Sequence, residues 1–446
     1  MGGLVLERAE RVNIRGSVVL AELADAAKAR LLLVSTDLVF TAVPGITGLI
    51  DRLEAVDLVR CVMNHERCRV CGIDIDQPSL DLPAPALTST YEQLPARTRV
   101  YVCGSCGHLQ SPEIPDAAAF YDTRLKCALD SEEFDHIAEI RDGVPRYRTD
   151  IQADVALKLV DVPKGARVLD FGAAKAATLR KIWARRPDIS PHVFDVSEDY
   201  RSSWNAWLPS EAIATYEVPC SWRGRFDVIT AHYVFEHLGD PVATLRVISE
   251  LLASGGRFYF SVPDWAANIG DLLVAEHTNH FTEVSIRRAV HEAGLAVEVF
   301  DIASLPYGIS VVCRASASRD TPAKNGIKAS VDHARQTASA LQCAVNRVDT
   351  EISSRRERHS AIFGAGFYGA LLLTRMPDRS GVACCIDNNP HLWGKTLFGV
   401  PVTSPEKLPT STETVYVGLN PARARAIVES VKALQRAGLD LVFLEM

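Results

Sequence analysis

Arg167-Val168-Leu169-Asp170-Phe171-Gly172 decides the fold, because it is a short apolar run with one acid that stops at a glycine. Such a run fits a buried strand ending in a tight turn. Outward from it the strand and helix signals alternate. Gln152 to Leu159 reads as a helix before it and Ala173 to Arg185 as a helix after it, and His192-Val193-Phe194-Asp195 forms the next strand. Further on, Phe226 to Thr230 reads as a strand, Pro241 to Leu252 as a helix and Gly256 to Val262 as a strand. This alternation predicts an α/β domain built on a parallel, doubly wound sheet, with ligands bound beyond the carboxyl ends of its strands. Asp195, at the tip of the second strand, is placed to accept both ribose hydroxyls of a nucleoside.

These residues resemble a class I, Rossmann-like S-adenosylmethionine methyltransferase over about residues 150–315. Val168 to Gly172 is similar to the first motif of that family and Val193-Phe194-Asp195 to its second. Asp227 through Tyr233, Glu236, His237 and Asp240-Pro241 is similar to the fourth strand and its loop. The resemblance implies S-adenosylmethionine as cofactor, held by Asp170, Gly172, Ala174, Asp195, Tyr233, Glu236 and His237, with His237 a wall of the site rather than its base. Alanines at 174 and 176 stand where the family usually has glycines. A nicotinamide dehydrogenase shares the sheet architecture and is the competing reading of the fold alone.

The whole chain of 446 residues is long enough for about three domains. Its net charge of -7, from 48 Lys plus Arg against 55 Asp plus Glu, argues against nucleic acid or an anionic membrane surface as the main partner. No signal peptide is expected behind Glu7, Arg8, Glu10 and Arg11. No membrane span is expected either, because the most apolar stretch, Leu31 to Ile50, carries Asp37 and Pro44. A cytoplasmic location follows as an expectation.

Cys68-Arg69-Val70-Cys71-Gly72 and Cys103-Gly104-Ser105-Cys106-Gly107 are two C-x-x-C pairs, each followed by glycine. The spacer lets both thiolates of a pair face one ion, and the glycine permits the turn that aims backbone amides at sulfur. Cys68, Cys71, Cys103 and Cys106 are therefore expected to hold a structural Zn²⁺ with no open position, its negative charge offset by Arg67, Arg69, Arg97 and Arg99. Cys61, Cys127, Cys220, Cys313, Cys343, Cys384 and Cys385 lack ligand spacing.

Val274 to Thr282 places Glu276, His277, His280 and Phe281 on a polar segment before an amphipathic helix, Glu283 to Ala293. Imidazole titrates near working pH, so this cluster is the candidate for acid/base chemistry, with His277 as base, Glu276 orienting or charge-stabilising it and His280 as a further candidate. The bland alternative is a pocket wall that moves no proton.

A shift to Ser, Arg, Asp, Lys and Pro near Ser316 to Ser330 marks a boundary. Beyond it Ala329 to Ile352 reads as a long helix with Val331, Ala334, Ala338, Leu341, Ala344 and Val348 on one face. Ser360 to Gly369 then runs a strand into G-x-G-x-x-G, formed by Gly364, Gly366 and Gly369, with Asp387 ending the next strand. That context suits a pyrophosphate at a helix N-terminus, or a turn that only packs. Trp393 to Val402 suggests a turn and strand, and Pro421 to Ala437 a closing helix.

The order of parts resembles the nucleotide-sugar C-methyltransferases that branch deoxysugars, over about residues 66–446. The resemblance implies a zinc-binding module (61–125), a methyltransferase domain (126–317) and a long helix with a C-terminal Rossmann-like domain (318–446). The Glu-His pair of that family falls on Glu276 and His277, its aromatic-Thr on Phe281-Thr282, and its aromatic residue after the zinc module on Tyr121. The implied chemistry is deprotonation beside a keto group of a nucleotide-linked sugar, then methyl transfer to carbon. The substrate would lie against Tyr121, Phe281 and the turn of Gly364, Gly366, Gly369 and Asp387. Methyl transfer to oxygen or nitrogen of another small molecule, and a non-catalytic nucleotide-binding scaffold, are the alternatives. Residues 1–60 resemble a fragment of a short-chain dehydrogenase without its glycine-rich turn or Tyr-x-x-x-Lys, read as a non-catalytic appendage. Oligomeric state is not legible.

Overall fold

The computed structural model describes residues 66–124, 137–141, 144–316, 326–355 and 359–446. The N-terminal appendage expected over residues 1–60, Cys61 and Cys127 lie outside them.

The central sheet holds β1 (Arg167–Phe171), β2 (Ser190–Asp195), β3 (Ile213–Thr215), β4 (Phe226–His232), β5 (Leu252–Pro263), β6 (Leu295–Asp301) and β7 (Gly308–Ala315). They lie in the order β3-β2-β1-β4-β5-β7-β6. The four strands read from the sequence, β1, β2, β4 and β5, are parallel as expected, and β3, which was not among them, also runs parallel, whereas β7 runs antiparallel to both β5 and β6. Val168, Leu169, Val193, Ile229 and Phe258 are buried, the composition of strands covered on both faces. Chain order reverses between β1 and β4, which opens a crevice at their carboxyl ends.

The helices are α1 (Arg148–Leu159), α2 (Ala177–Arg185), α3 (Pro241–Leu251) and α4 (Glu283–Glu292). Helix α3 starts where Asp240 accepts the Ala243 N–H at 2.8 Å, with Pro241 in the first turn, and α4 starts at a Thr282–Ser285 capping box. Helix α2 begins four residues later than expected, because Ala174 (φ 45°) and Ala176 (φ 55°) take left-handed backbone and keep Ala173–Ala176 as a loop.

Before the central sheet, strands Leu80–Leu82, Thr98–Val102 and Leu109–Gln110 form an antiparallel sheet whose outer strand is Asn279–His280. The segment carrying the histidine cluster is thus built into the sheet of the cysteine-bearing module. After the central domain, α5 (Ile327–Ser354) buries Val331, Ala334, Ala338, Leu341, Ala344 and Val348, the face read from sequence.

A second sheet follows, of β8 (Ser360–Phe363), β9 (Val382–Ile386), β10 (Thr396–Leu397), β11 (Val400–Thr403), β12 (Thr414–Val417) and β13 (Asp440–Phe443). Its order is β10-β11-β9-β8-β12-β13, parallel except for β10. It is flanked by α6 (Phe367–Thr374) and α7 (Pro421–Ser430). The closing helix expected to reach Ala437 stops at Ser430, because Val431 is extended (φ -100°, ψ 105°) and a short 3₁₀ turn follows. One apolar core links Leu80, Val100 and Leu109 with Leu272, Leu341 and Leu371, tying module, central domain and C-terminal sheet together. Among the described residues no helix is long and apolar enough to cross a membrane.

Candidate functional site

The crevice beside β1 is lined by the turn after Phe171. Gly172 has φ 73°, and a Cβ there would meet the Val234 side chain at 2.5 Å, so close approach demands glycine. Ala174 donates its N–H to Asp195 Oδ2 (2.8 Å) and Ser197 donates to Oδ1 (3.1 Å), fixing the carboxylate at the tip of β2. Each Asp195 oxygen retains a lone pair for a hydroxyl. Ala174 and Ala176 preserve the glycine-like path in spite of their methyl groups, so the turn suits the backbone approach of a nucleoside-bearing donor. Asp170 is buried and accepts the Thr230 hydroxyl at 2.8 Å. Burial, with the Asp195 charge adding to it, raises its carboxyl to about 7. Tyr233, just past β4, takes left-handed backbone (φ 55°), its hydroxyl against Gly308.

Next to this crevice stands an imidazole cluster organised by a residue that sequence reading missed. Asp271 Oδ1 accepts His277 Nδ1–H at 2.6 Å, and Oδ2 pairs with His280 Nδ1 at 2.6 Å. Asp271 is itself buried among Leu272, Leu273 and Gly270, an acid in an apolar stretch that carries no motif. Its carboxyl is held below the usual range by the two imidazoles in spite of burial. Burial opposes a proton on His277, yet Asp271, with Glu236 and Glu276 adding, lifts His277 to about 9.

Glu276, expected to orient or charge-stabilise His277, does only the second, since it does not touch the ring. Its carboxylate accepts the Ser89 N–H (2.9 Å) and hydroxyl, so it anchors the segment to the N-terminal module and acts on His277 only through charge. The positioning carboxylate is Asp271. His280 has both nitrogens engaged, Nε2 with Ser111 Oγ at 3.0 Å, and its side chain is fully covered. It positions Asp271 and is no candidate base. Phe281, expected to face substrate, is buried against His108 with ring centroids 5.1 Å apart, because the outer strand turns it into the module.

His237 donates Nδ1–H to the Glu276 carbonyl (3.2 Å) and meets the His277 ring edge-on at 4.9 Å. Burial, with the His277 charge, lowers it to about 3, so it stays neutral and acts as wall. Tyr121 donates its hydroxyl to the same carbonyl (2.9 Å) and packs on His237 at 5.4 Å. Tyr121, His237 and His277 thus come together at one place.

The four cysteines also converge. Cys68 Sγ lies 3.6 Å from Cys106 Sγ, and Cys71 Sγ lies 3.5 Å from Cys103 Sγ. Tetrahedral Zn–S bonds of about 2.3 Å place sulfurs about 3.8 Å apart, far beyond a disulfide at about 2.05 Å. Both knuckles make the same turn, with Gly72 N–H bonded to Cys68 O and Gly107 N–H to Cys103 O, at φ 72° and 70°. The donor set therefore fits a closed zinc site. Of the arginines expected to offset its charge, Arg97 and Arg99 instead pair with Asp81 at 2.7 and 3.3 Å. Arg69 crosses to the Ser111 and Thr278 carbonyls at 2.8 and 2.7 Å.

In the C-terminal turn, a Cβ on Gly369 would meet Gly364 O at 1.9 Å and one on Gly364 would meet Gly418 O at 2.4 Å, so both glycines serve packing. Gly366 faces open space. Asp387 accepts the Ala365 and Asn389 N–H groups, each at 2.7 Å, and so braces the turn.

Comparison with known proteins bears on the central domain. Residues 144–298 match the family model described as a methyltransferase domain. A ubiquinone biosynthesis O-methyltransferase of Xanthomonas axonopodis pv. citri is 26% identical over 104 residues, covering 22% of this chain and 44% of that protein. The namesake from Ralstonia nicotianae is 29% identical over 105 residues, covering 23% of this chain and 42% of that protein. The chain thus spans less than half the length of these curated relatives. Among solved structures, the CcbJ methyltransferase from Streptomyces caelestis is 12% identical, covering 46% of this chain and 100% of that one, at TM-score 0.34. The central domain is a methyltransferase domain with the class I, Rossmann-like fold, of the S-adenosylmethionine-dependent kind.

Proposed function

We propose that the chain is a C-methyltransferase acting on a nucleotide-linked keto-deoxysugar, with His277 as base. The observation that carries this reading is the Asp271–His277 pair: the 2.6 Å bond to Nδ1 leaves Nε2 of His277, beside Tyr121 and His237, as the nitrogen that exchanges protons, and because Asp271 keeps the imidazole protonated up to about pH 9 the neutral form that acts as base grows in as pH rises towards that value.

A keto group acidifies the neighbouring C–H bond. His277 Nε2 receives that proton while the C–H electron pair passes into an enolate, and Asp271 stabilises the imidazolium that results. When bound at the Gly172–Asp195 crevice, S-adenosylmethionine supplies a methyl group on a cationic sulfur that the enolate carbon can take. Neutral His237 and the Tyr121 ring wall the site, and holding both partners at near-attack distance is the main contribution of the protein. The zinc module serves this chemistry indirectly, since it carries the strand that follows His277.

The names of the curated relatives favour a second reading, transfer to a hydroxyl oxygen, for which the same base would serve. One experiment separates the two. The purified chain is incubated with methyl-labelled donor and either nucleotide 4-keto sugars or phenolic hydroxyl acceptors, and the label is located by NMR. Label on a sugar carbon, lost in His277→Asn, is expected. Label on oxygen overturns the proposal.

A further inference from the structure

Three donor groups meet at His277 in a way that proton transfer does not use. One ligating atom each from Glu236, His237 and His277 lie within 4.8 Å of one another. Both imidazoles already commit Nδ1, His237 to the Glu276 carbonyl at 3.2 Å and His277 to Asp271 at 2.6 Å. That leaves Nε2 of each as the nitrogen for a ligand. An imidazole N–H given to a carbonyl or carboxylate is the arrangement that fixes the tautomer of a metal ligand and raises its basicity. The third group is stranded. Glu236 is 1% exposed, and its Oε2 has no hydrogen-bond partner among the described residues. A buried carboxylate oxygen without a partner is costly, and the proposed mechanism gives it no task.

We propose that Glu236, His237 and His277 form a second metal site, an N₂O set that takes a divalent transition ion such as Zn²⁺ and leaves a coordination position open to the cleft. Two imidazoles and one carboxylate suit Zn²⁺ or Co²⁺, whereas Mg²⁺ and Ca²⁺ favour oxygen ligands. An ion there occupies the Nε2 lone pair that His277 needs as a base, so it switches methyl transfer off. This last clause rests on the proposed role of His277; the binding itself does not.

The test counts ions. The full chain, Glu236→Gln and His237→Gln are each dialysed against Zn²⁺, and bound zinc is measured by elemental analysis. The wild type should hold one more ion per chain than either variant, and the ion retained at the four cysteines reports that each variant is folded. Asp271→Asn should weaken the extra ion by about 10- to 100-fold, as loss of an outer hydrogen-bond partner does. Equal zinc content in all chains overturns the site. In the labelled-methyl assay, one further equivalent of Zn²⁺ should slow transfer at least tenfold, reversibly on mild chelation. Binding without inhibition overturns the switch alone. A chain that never turns over leaves the ion count standing.

Discussion

The Tyr368 hydroxyl of the C-terminal domain accepts the Gly270 N–H at 2.8 Å and donates to Asn268 Oδ1 at 2.9 Å. Gly270 immediately precedes Asp271, so the glycine-rich turn braces the loop that holds His277. A Cβ on Gly270 would lie 2.7 Å from that hydroxyl, which leaves no room for a larger residue. Tyr368→Phe removes the acceptor and strands a buried N–H, at a cost of about 1–3 kcal/mol. Thermal unfolding should shift down by several degrees. Turnover should fall while donor affinity, measured by calorimetry, is unchanged. A variant with wild-type turnover would leave Tyr368 a packing residue only.

Asp271→Asn should be far more damaging to catalysis. The carboxylate serves both His277 and His280, and an amide can offer only one oxygen acceptor. With its partner charge gone, His277 loses both its orientation and its stabilised imidazolium. Turnover should drop by about 10²- to 10⁴-fold, the usual worth of a positioned base. Steady-state kinetics beside a donor-binding titration check this, and equal losses in both would point to collapse of the loop instead.

Emptying the zinc site proposed at the four cysteines should be felt at His277. Gly107 O accepts the Thr282 hydroxyl (3.2 Å), His108 meets Asn279 (3.1 Å) and Ser111 meets His280 (3.0 Å). Cys106→Ser, or strong chelation, should therefore raise amide exchange across 278–282 at least tenfold. Unchanged protection there would show that the strand stands without the knuckles.

The parallel strands, the cysteine cluster and the long helix were legible because each is a local pattern. Val168 to Gly172, the paired C-x-x-C and the buried face of α5 each carry their signal within a few residues. Antiparallel β7 was not legible, since nothing within Gly308–Ala315 encodes its direction. The site was half legible. His277 stands out as a titrating group, but its carboxylate was assigned to its neighbour Glu276, when the loop geometry brings Asp271 from six positions back. Adjacent residues in a chain point apart, and only the fold reveals which acid returns. The same applies to Phe281, whose direction was set by pairing of Asn279–His280 with Leu109–Gln110.

The two alanines of the first turn give opposite expectations. Both sit in left-handed backbone, which costs an L-residue roughly 1–2 kcal/mol. Ala174 is partly exposed, so Ala174→Gly should stabilise the chain by about 1 kcal/mol. The Ala176 methyl is buried in an apolar cluster with Leu179 and Trp204, and losing it removes about 0.8 kcal/mol of burial. Ala176→Gly should therefore be near neutral. Urea unfolding of the two variants separates them; equal effects would mean that strain is not the deciding difference.

Asp170 should give the donor crevice its own pH signature. Burial first, and then the charge of Asp195, raise its carboxyl from 3.8 to about 7, and the Thr230 hydroxyl only partly offsets them. A raised acid favours the protonated folded state, so its contribution is complete below the unfolded value near 3.8. That contribution is then lost as pH rises towards 7, and the loss is constant above it. Asp170→Asn cannot ionise and should escape the loss. Without donor, the variant should be more stable than wild type at pH 8, by on the order of 2 kcal/mol, with the gap closing towards pH 4. Donor binding should move the other way, because a cationic sulfonium and ammonium lose a nearby carboxylate. Urea unfolding across that range, with and without S-adenosylmethionine, reads both effects. Parallel pH curves for the two chains would remove Asp170 as their origin.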